Sequence, residues 1–172
     1  MVTEPSIKVG LPNSYCVVGD PIAHSLSPKI HSWFAESEGK TFLYHKIRVA
    51  KGSLKSAIEE FIGAGGKGMN VTVPLKEEAY SISDVRSDRA VAAEAANFLS
   101  FGDNGEITAD NTDGYGLITD ISRNLNMALS GKVIFLLGAG GAARGVLDGI
   151  AAQSPPLLQL SNRTLSKVEK LS

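Results

Sequence analysis

The chain has 172 residues, of which 43% are hydrophobic and 20% charged, and its 17 Lys and Arg nearly balance its 18 Asp and Glu. This composition is typical of a globular protein with a substantial core and excludes a disordered chain. Without a basic excess, we expect neither nucleic acid nor a membrane surface as partner. The N-terminus lacks signal-peptide features and no apolar run is long enough to span a bilayer, so we expect a cytoplasmic protein.

Apolar runs alternate with glycine-rich breaks, as in strand–loop–helix units. In the first half we predict strands at 15–18, 42–49 and 69–73, helices at 27–39 and 51–63, and a hairpin of 97–101 with 106–109. Ser27 is predicted to cap the first helix, ahead of Pro28. Trp33 and Phe34 recur at helical spacing and are predicted to lie in the core, as is Cys16 in its apolar strand.

A further helix is predicted from Gly114, and a new unit then begins with a strand at 132–137, a glycine loop, a helix and a strand at 157–160. Strands that alternate with helices predict an α/β fold with parallel strand pairs. The predicted division is an α/β substrate-binding domain at 1–113, a connecting helix and linker at 114–130, and a nucleotide-binding unit at 131–172.

The glycine loop directly follows a predicted strand. Gly138, Gly140 and Ala143 match the G-x-G-x-x-G/A dinucleotide fingerprint, whose first glycine allows a tight turn and whose second lets the backbone approach a pyrophosphate. The positive end of the helix dipole favours the same anion. A plain glycine turn is the alternative, but the strand before it and the helix after it favour the first half of a Rossmann dinucleotide-binding domain. The candidate cofactor residues are Gly138, Ala139, Gly140, Gly141, Ala142 and Ala143.

The second strand of this unit ends in Asn162, Arg163 and Thr164, with Lys167 one helical turn later. An NAD site would present Asp or Glu about 20 residues after the fingerprint, and none is found there. Arg163 can pair with a 2′-phosphate, which favours NADP over NAD. The alternative is a helix capped by Thr164 beside two solvated cations.

Polar side chains also cluster in the first half. Ser25 and Ser27 lie in a loop between a strand and a helix, and Asn70 and Thr72 share one face at the end of a strand, with Lys76 just beyond. Such a polar face is typical of a ligand pocket. Asp113 belongs to a polar run before a helix, where helix capping is the alternative.

For the other polar residues we expect no functional role. Glu77 and Glu78 are expected at a solvated helix start. The 3 histidines share no ligand spacing, so we predict no metal site.

Together these motifs resemble the shikimate dehydrogenase family. The resemblance rests on 19–28, 66–76, 110–114, the glycine loop and 162–164, in that order. It implies an NADP-dependent enzyme that reversibly reduces 3-dehydroshikimate to shikimate in aromatic amino-acid (chorismate) biosynthesis.

The resemblance also implies individual roles. Ser25 and Ser27 match serines that hold the substrate carboxylate, and Asn70, Thr72 and Asn97 match residues that bond ring hydroxyl or keto groups. Lys76 and Asp113 match the catalytic pair, which also contacts the substrate. The glycine loop matches the pyrophosphate site, and Asn162, Arg163 and Thr164 match the 2′-phosphate site.

The chain departs from the family pattern in one segment. Glu94 and Phe98 stand where the family has glycine and threonine, so a quinate-type or other altered substrate is an alternative, although Ser27 favours shikimate. The chain ends at Ser172, within the nucleotide-binding unit, so we expect a C-terminally truncated enzyme. A non-catalytic shikimate-binding fragment is therefore a further alternative. An unfinished sheet needs cover, so a homodimer is expected.

Overall fold

The computed structural model describes residues 14–41 and 43–171, in which strands and helices mostly alternate. The N-terminal segment without signal-peptide features, the predicted strand residue Phe42 and the terminal Ser172 lie outside the described residues.

The larger sheet has six strands in the order β2-β1-β3-β5-β6-β4. Its strands are β1 (Ser14–Gly19), β2 (Leu43–Arg48), β3 (Gly66–Val71), β4 (Val85–Arg86), β5 (Phe98–Phe101) and β6 (Ile107–Asp110). The pairs β2–β1, β1–β3 and β6–β4 are parallel, whereas β3–β5 and β5–β6 are antiparallel. The predicted hairpin is confirmed as β5–β6.

Five helices accompany this sheet: α1 (Ser27–Ser37), α2 (Leu54–Gly63), α3 (Lys76–Ile82), α4 (Asp88–Ala93) and α5 (Asp113–Thr119). A π-helical turn at Asp120–Asn124 continues α5. The apolar face predicted for α2 is confirmed, since Leu54, Ile58 and Phe61 are buried against the sheet. Burying side chains of this size contributes about 2 kcal/mol each, and it fixes α2 on the sheet.

The start of α1 differs from the prediction. Leu26, not Ser27, occupies the N-cap position, and the Leu26 side chain makes no capping hydrogen bond. The Ser27 N–H instead donates to Ser25 Oγ at 3.3 Å. Ser27 is therefore the first residue of α1, and its hydroxyl does not cap the helix.

The core assignment of Trp33 and Phe34 is wrong. These side chains are 58% and 61% exposed, and Ala35 is the buried residue of α1. Helical spacing shows that apolar residues share a face, but burial also requires a second element over that face. No element among residues 14–41 and 43–171 covers it.

The sequence analysis missed β4 and α4. Ser87 caps α4, because its Oγ accepts the Ala90 N–H at 3.1 Å. A serine followed by Asp88 in the first turn is a local start signal that could have found this helix.

The second sheet pairs β7 (Val133–Leu137) in parallel with β8 (Leu157–Ser161), joined by α6 (Gly141–Ala151) and followed by α7 (Leu165–Glu169). The predicted α/β fold with a βαβ dinucleotide-binding unit is confirmed. Alternate residues of β7, among them Phe135 and Leu137, are exposed on one face of this sheet. Within the described part of the chain, no helix is both long and apolar enough to cross a membrane.

Candidate active site

Lys76 and Asp113 form the centre of the site. They are the first residues of α3 and α5, and Lys76 Nζ lies 2.5 Å from Asp113 Oδ2. Their side chains are only 10% and 22% exposed. Separating so shielded a pair would leave a charge without a partner, so each residue fixes the position of the other. The two residues that the sequence singles out for catalysis are thus in direct contact.

Two asparagines orient Asp113. Asn97 Nδ2 donates to Asp113 Oδ1 and to Thr112 Oγ1, each at 2.9 Å, and Asn97 Oδ1 accepts the Thr112 N–H at 3.0 Å. Asn111 is 2% exposed; its Oδ1 accepts the Asp113 N–H at 3.1 Å and its Nδ2 donates to the Ala95 carbonyl at 2.9 Å. Both carboxylate oxygens of Asp113 therefore have donors. Sequence reasoning gave Asn111 no role.

Helix α6 lies against this pair through glycines. A Cβ on Gly141 would come 2.9 Å from Lys76 Cβ, and one on Gly145 would come 2.8 Å from Asp113 Oδ2. On the facing helix, a Cβ on Gly114 would approach the Gly145 carbonyl to 2.8 Å. Any side chain at these positions would push α6 away, so the glycines set how closely α6 approaches Lys76 and Asp113.

A cleft of about 340 Å³ separates the glycine loop from the first domain; we call it the glycine-loop cleft. It is lined by Lys51, 73–74, 76–78, 137–138, 140–143 and Lys167. Gly138 has φ +117°, which requires glycine, and a Cβ on Gly140 would meet nothing within 4 Å. The backbone thus borders open space beside the first turn of α6, whose amides lack intrahelical acceptors. These residues fit a dinucleotide pyrophosphate.

The turn between β8 and α7 carries the predicted 2′-phosphate residues. Asn162 Nδ2 donates to the Thr164 carbonyl at 2.9 Å, which stabilises the turn. Thr164 is the N-cap residue of α7, although its side chain makes no capping bond. Arg163 is exposed and has no ion pair among the described residues, and Lys167 lines the glycine-loop cleft. The cations are therefore free to meet an external anion.

The serine loop lies between β1 and α1. Ser25 and Ser27 are half-buried, with 3.2 Å between their hydroxyl oxygens. Lys46 Nζ donates to the Ala23 carbonyl at 2.7 Å and holds this loop on β2. Sequence reasoning missed Lys46. The serine hydroxyls are adjacent and can donate together to one carboxylate.

Tyr44 joins the serine loop to Asn97 and the Lys76–Asp113 pair, and sequence reasoning missed it too. Its hydroxyl hydrogen-bonds Ser27 and donates to Asn70 Oδ1 at 2.5 Å, and Asn70 Nδ2 donates to the Asn97 carbonyl at 3.4 Å. Burial raises the pKa of Tyr44, so its hydroxyl stays protonated as a donor. Polar residues that alternate along the edge strand β2 are the signal that could have found Tyr44 and Lys46.

Thr72 lies just beyond β3. Its N–H donates to the Val18 carbonyl at 2.9 Å, and its side chain is half-buried against Gly19. The structure therefore brings the serine loop, Asn70 and Asn97 into one hydrogen-bonded chain with Asp113 and Lys76, and places Thr72 beside that chain.

Asp110 anchors the segment that precedes Asp113. Its carboxylate accepts from Arg89 Nη2 and Ser87 Oγ, each at 2.5 Å, and from the Asn111 N–H at 2.7 Å. Partial burial acts to raise the pKa of Asp110, but these hydrogen bonds outweigh it and hold the pKa below its usual value. Asp110 is therefore ionised and fixed by its own partners, so it does not compete with Asp113 for Lys76.

Among residues 14–41 and 43–171, no group of three His, Cys, Asp or Glu side chains is arranged to hold a metal ion. The polar groups of the site can form hydrogen bonds with a ligand and can transfer a proton to it. The ammonium of Lys76 can donate to an oxygen that develops negative charge, and Asp113 can accept from a hydroxyl beside it.

Comparison with known proteins agrees with this geometry. Residues 17–99 match the model of the shikimate dehydrogenase substrate binding domain. The Shikimate dehydrogenase (NADP(+)) of Janthinobacterium sp. (strain Marseille) is 48% identical over 92% of this chain and 58% of its own length. The chain is thus similar to shikimate dehydrogenases over most of its own length.

Solved structures that resemble this chain share its fold. An Ael1 enzyme from Pseudomonas putida is 42% identical with a TM-score of 0.81, over 92% of this chain and 58% of its own. Shikimate 5-dehydrogenase from Thermus thermophilus, in complex with NADP(H) and shikimate, is 31% identical with a TM-score of 0.82, over 92% and 59% of the two chains. The chain thus spans a little under three-fifths of the length of each of these proteins.

Glu94 and Phe98 distinguish this chain from the shikimate dehydrogenase pattern. Phe98 is half-buried and lines a cavity of about 530 Å³ together with Tyr44 and Asn70. Glu94 has φ +46°, the conformation for which glycine is suited, and its Oε2 lies 2.8 Å from Arg144 Nη1 on α6. The backbone at Glu94 is therefore strained, but the ion pair between Glu94 and Arg144 joins α6 to the segment that carries Asn97.

Replacing Glu94 by glutamine is expected to lower the free energy of unfolding by about 1 kcal/mol. The Arg144 side chain is 12% exposed and its Nε has no hydrogen-bond partner among the described residues, so losing the carboxylate leaves a largely buried guanidinium without a charged partner. Urea denaturation followed by circular dichroism measures the change. Glu59→Gln, at an exposed position of α2, is the control and should change stability by less than about 0.5 kcal/mol. Equal stability of the two variants would contradict a role for this ion pair.

Proposed function

We propose that this chain carries the catalytic and cofactor-binding residues of an NADP-dependent shikimate dehydrogenase, which reduces 3-dehydroshikimate to shikimate in aromatic amino-acid biosynthesis. The observation that carries the proposal is the Lys76–Asp113 pair, 2.5 Å apart and packed against Gly141 at the edge of the glycine-loop cleft. A proton donor thus lies beside the cleft that fits the cofactor.

The proposed roles follow from these positions. NADPH supplies the hydride when it is bound. Lys76 gives a proton to the carbonyl oxygen as negative charge develops on it, and Asp113 keeps the ammonium in place and accepts from a neighbouring ring hydroxyl. Asn97 holds the second oxygen of Asp113 at 2.9 Å. Ser25 and Ser27 bind the substrate carboxylate, while Asn70 and Thr72 contact ring substituents.

NADPH oxidation with 3-dehydroshikimate, followed by absorbance against a blank without substrate, tests the proposal. Turnover is the expected result. A folded chain that binds shikimate in calorimetry without turning over would instead be a binding fragment. A chain that binds neither shikimate nor NADPH would overturn the proposal.

A quinate-type substrate is the second candidate, and Phe98 at the wall of the 530 Å³ cavity favours it. The same assay in the oxidative direction, with quinate and shikimate compared at equal concentration, distinguishes the two. Faster oxidation of quinate would replace the first candidate by the second.

Replacing Arg163 by alanine is expected to weaken NADPH binding about tenfold and to leave NADH binding unchanged, because only NADPH carries the 2′-phosphate with which the guanidinium pairs. Fluorescence titration of both nucleotides measures the effect. Lys170→Ala removes a nearby exposed cation and serves as the control. An equal loss for both nucleotides would overturn the assignment of Arg163.

The domain organisation, the oligomeric state and the cellular location are also part of the proposed function. We propose a cytoplasmic homodimer with a substrate-binding domain at 1–113, a connecting helix and linker at 114–130 and a partial NADP-binding Rossmann domain at 131–172. The separate β7–β8 sheet supports the division, and the exposed apolar side chains of α1 support the dimer. Light scattering coupled to gel filtration tests the dimer.

A further inference from the structure

We propose that Lys51, on the first domain, binds a phosphate of the dinucleotide across the glycine-loop cleft. The inference rests on the proposed NADP-binding function and adds a residue to it. Lys51 is exposed and lines this cleft together with the glycine loop and Lys167. The phosphates would then be held from both sides of the cleft.

Lys51 is presented by a well-defined turn. The Ser53 N–H donates to the Ala50 carbonyl at 3.1 Å, and Gly52 has φ +87°, as a type II turn requires at its third residue. Val49, just before the turn, is 4% exposed and anchors it in the core. The backbone that carries Lys51 is therefore fixed before any ligand arrives.

Hydrogen bonds to Glu78 join this turn to α3. Its two carboxylate oxygens accept the Gly52 N–H at 2.9 Å and the Leu54 N–H at 3.0 Å. Glu78 was expected at a solvated helix start, and that expectation is wrong, because it is half-buried and caps α2. The same contact joins the Lys51 turn to the helix that begins with Lys76.

Two ammonium groups in the cleft are available to an anion. Lys76 is paired with Asp113, and the Glu78 carboxylate, which keeps its negative charge, accepts backbone N–H groups of the Lys51 turn and of α2. This leaves Lys51 and Lys167 facing the single exposed carboxylate of Glu77, and neither lysine has an ion pair among the described residues. Two such ammonium groups beside the unpaired first amides of α6 match the chemistry of a phosphate ester.

Titration of the whole chain with NADPH, followed by nucleotide fluorescence, tests the inference. We expect Lys51→Ala to raise the Kd about tenfold, the loss expected for one charge-assisted hydrogen bond. Lys51→Glu should raise it further, and the difference from the unchanged chain should shrink in high salt. Lys55→Ala, an exposed lysine of α2 that does not line the cleft, is the matched control and should bind as the unchanged chain does.

The same titrations with NADH identify the phosphate. A loss for NADPH alone assigns Lys51 to the 2′-phosphate, and an equal loss for both nucleotides assigns it to the pyrophosphate. Unchanged Kd values in Lys51→Ala and Lys51→Glu, with the unchanged chain binding NADPH, would overturn the inference and leave the proposed function standing. An unchanged chain that binds no NADPH would overturn both.

Discussion

Replacing Gly145 by alanine is expected to lower the free energy of unfolding by about 2 kcal/mol and to disturb the contact between Lys76 and Asp113. The added Cβ would lie 2.8 Å from Asp113 Oδ2 and 2.9 Å from both Asn111 side-chain polar atoms. These groups cannot retreat, because Asn111 is buried and Asp113 is bonded to Lys76. Helix α6 must therefore move outward, and urea denaturation measures the loss.

Gly116 provides a control of opposite sign. It lies within α5, where an added Cβ would meet nothing within 4 Å, so Gly116→Ala should stabilise the protein by about 0.5 kcal/mol. If both alanine variants shift stability in the same direction, contact with the Asp113 network is not what requires glycine at position 145.

Replacing Lys76 by alanine is expected to reduce turnover of 3-dehydroshikimate about a thousandfold, since the proton donor is lost. Shikimate binding should weaken much less, because Asp113 still accepts from Asn97 at 2.9 Å. Steady-state NADPH oxidation and calorimetric titration with shikimate measure the two effects separately.

Lys46→Ala is the matched control for Lys76→Ala. It removes another lysine of the first domain that is bonded to the serine loop rather than to Asp113. It should weaken substrate binding more than it slows turnover at saturation. Turnover by Lys76→Ala within tenfold of the unchanged chain would show that another group donates the proton.

Sequence patterns correctly predicted those elements that depend on interactions between neighbouring residues. The glycine loop, α2 and the β5–β6 hairpin were found because glycine turns, helical spacing and hairpin turn residues act over a few neighbouring positions. The strand and helix around Gly138 follow for the same reason. Family resemblance added Lys76 and Asp113, and the structure brings them into contact.

Other features depend on partners far apart in the chain. In the sequence, Asn111 is one of several polar residues before a helix, and only the packing of α6 against it distinguishes it. Tyr44 can bond the serine loop only because β2 lies beside that loop. Trp33 and Phe34 show the opposite error, since their spacing fits a core face that no described element covers. Such residues are identified only by what packs against them.

By itself, then, the amino-acid sequence determined the α/β pattern, the glycine loop and the polar positions from which a site is built, because each is encoded in consecutive residues. The tertiary structure decided which of these groups meet. It placed Lys76 against Asp113, Gly145 against both Asp113 and Asn111, and Lys51 opposite the glycine loop. Those contacts join residues on different elements, and their geometry is set by the packing of α6 on the first domain, which no short stretch of sequence contains.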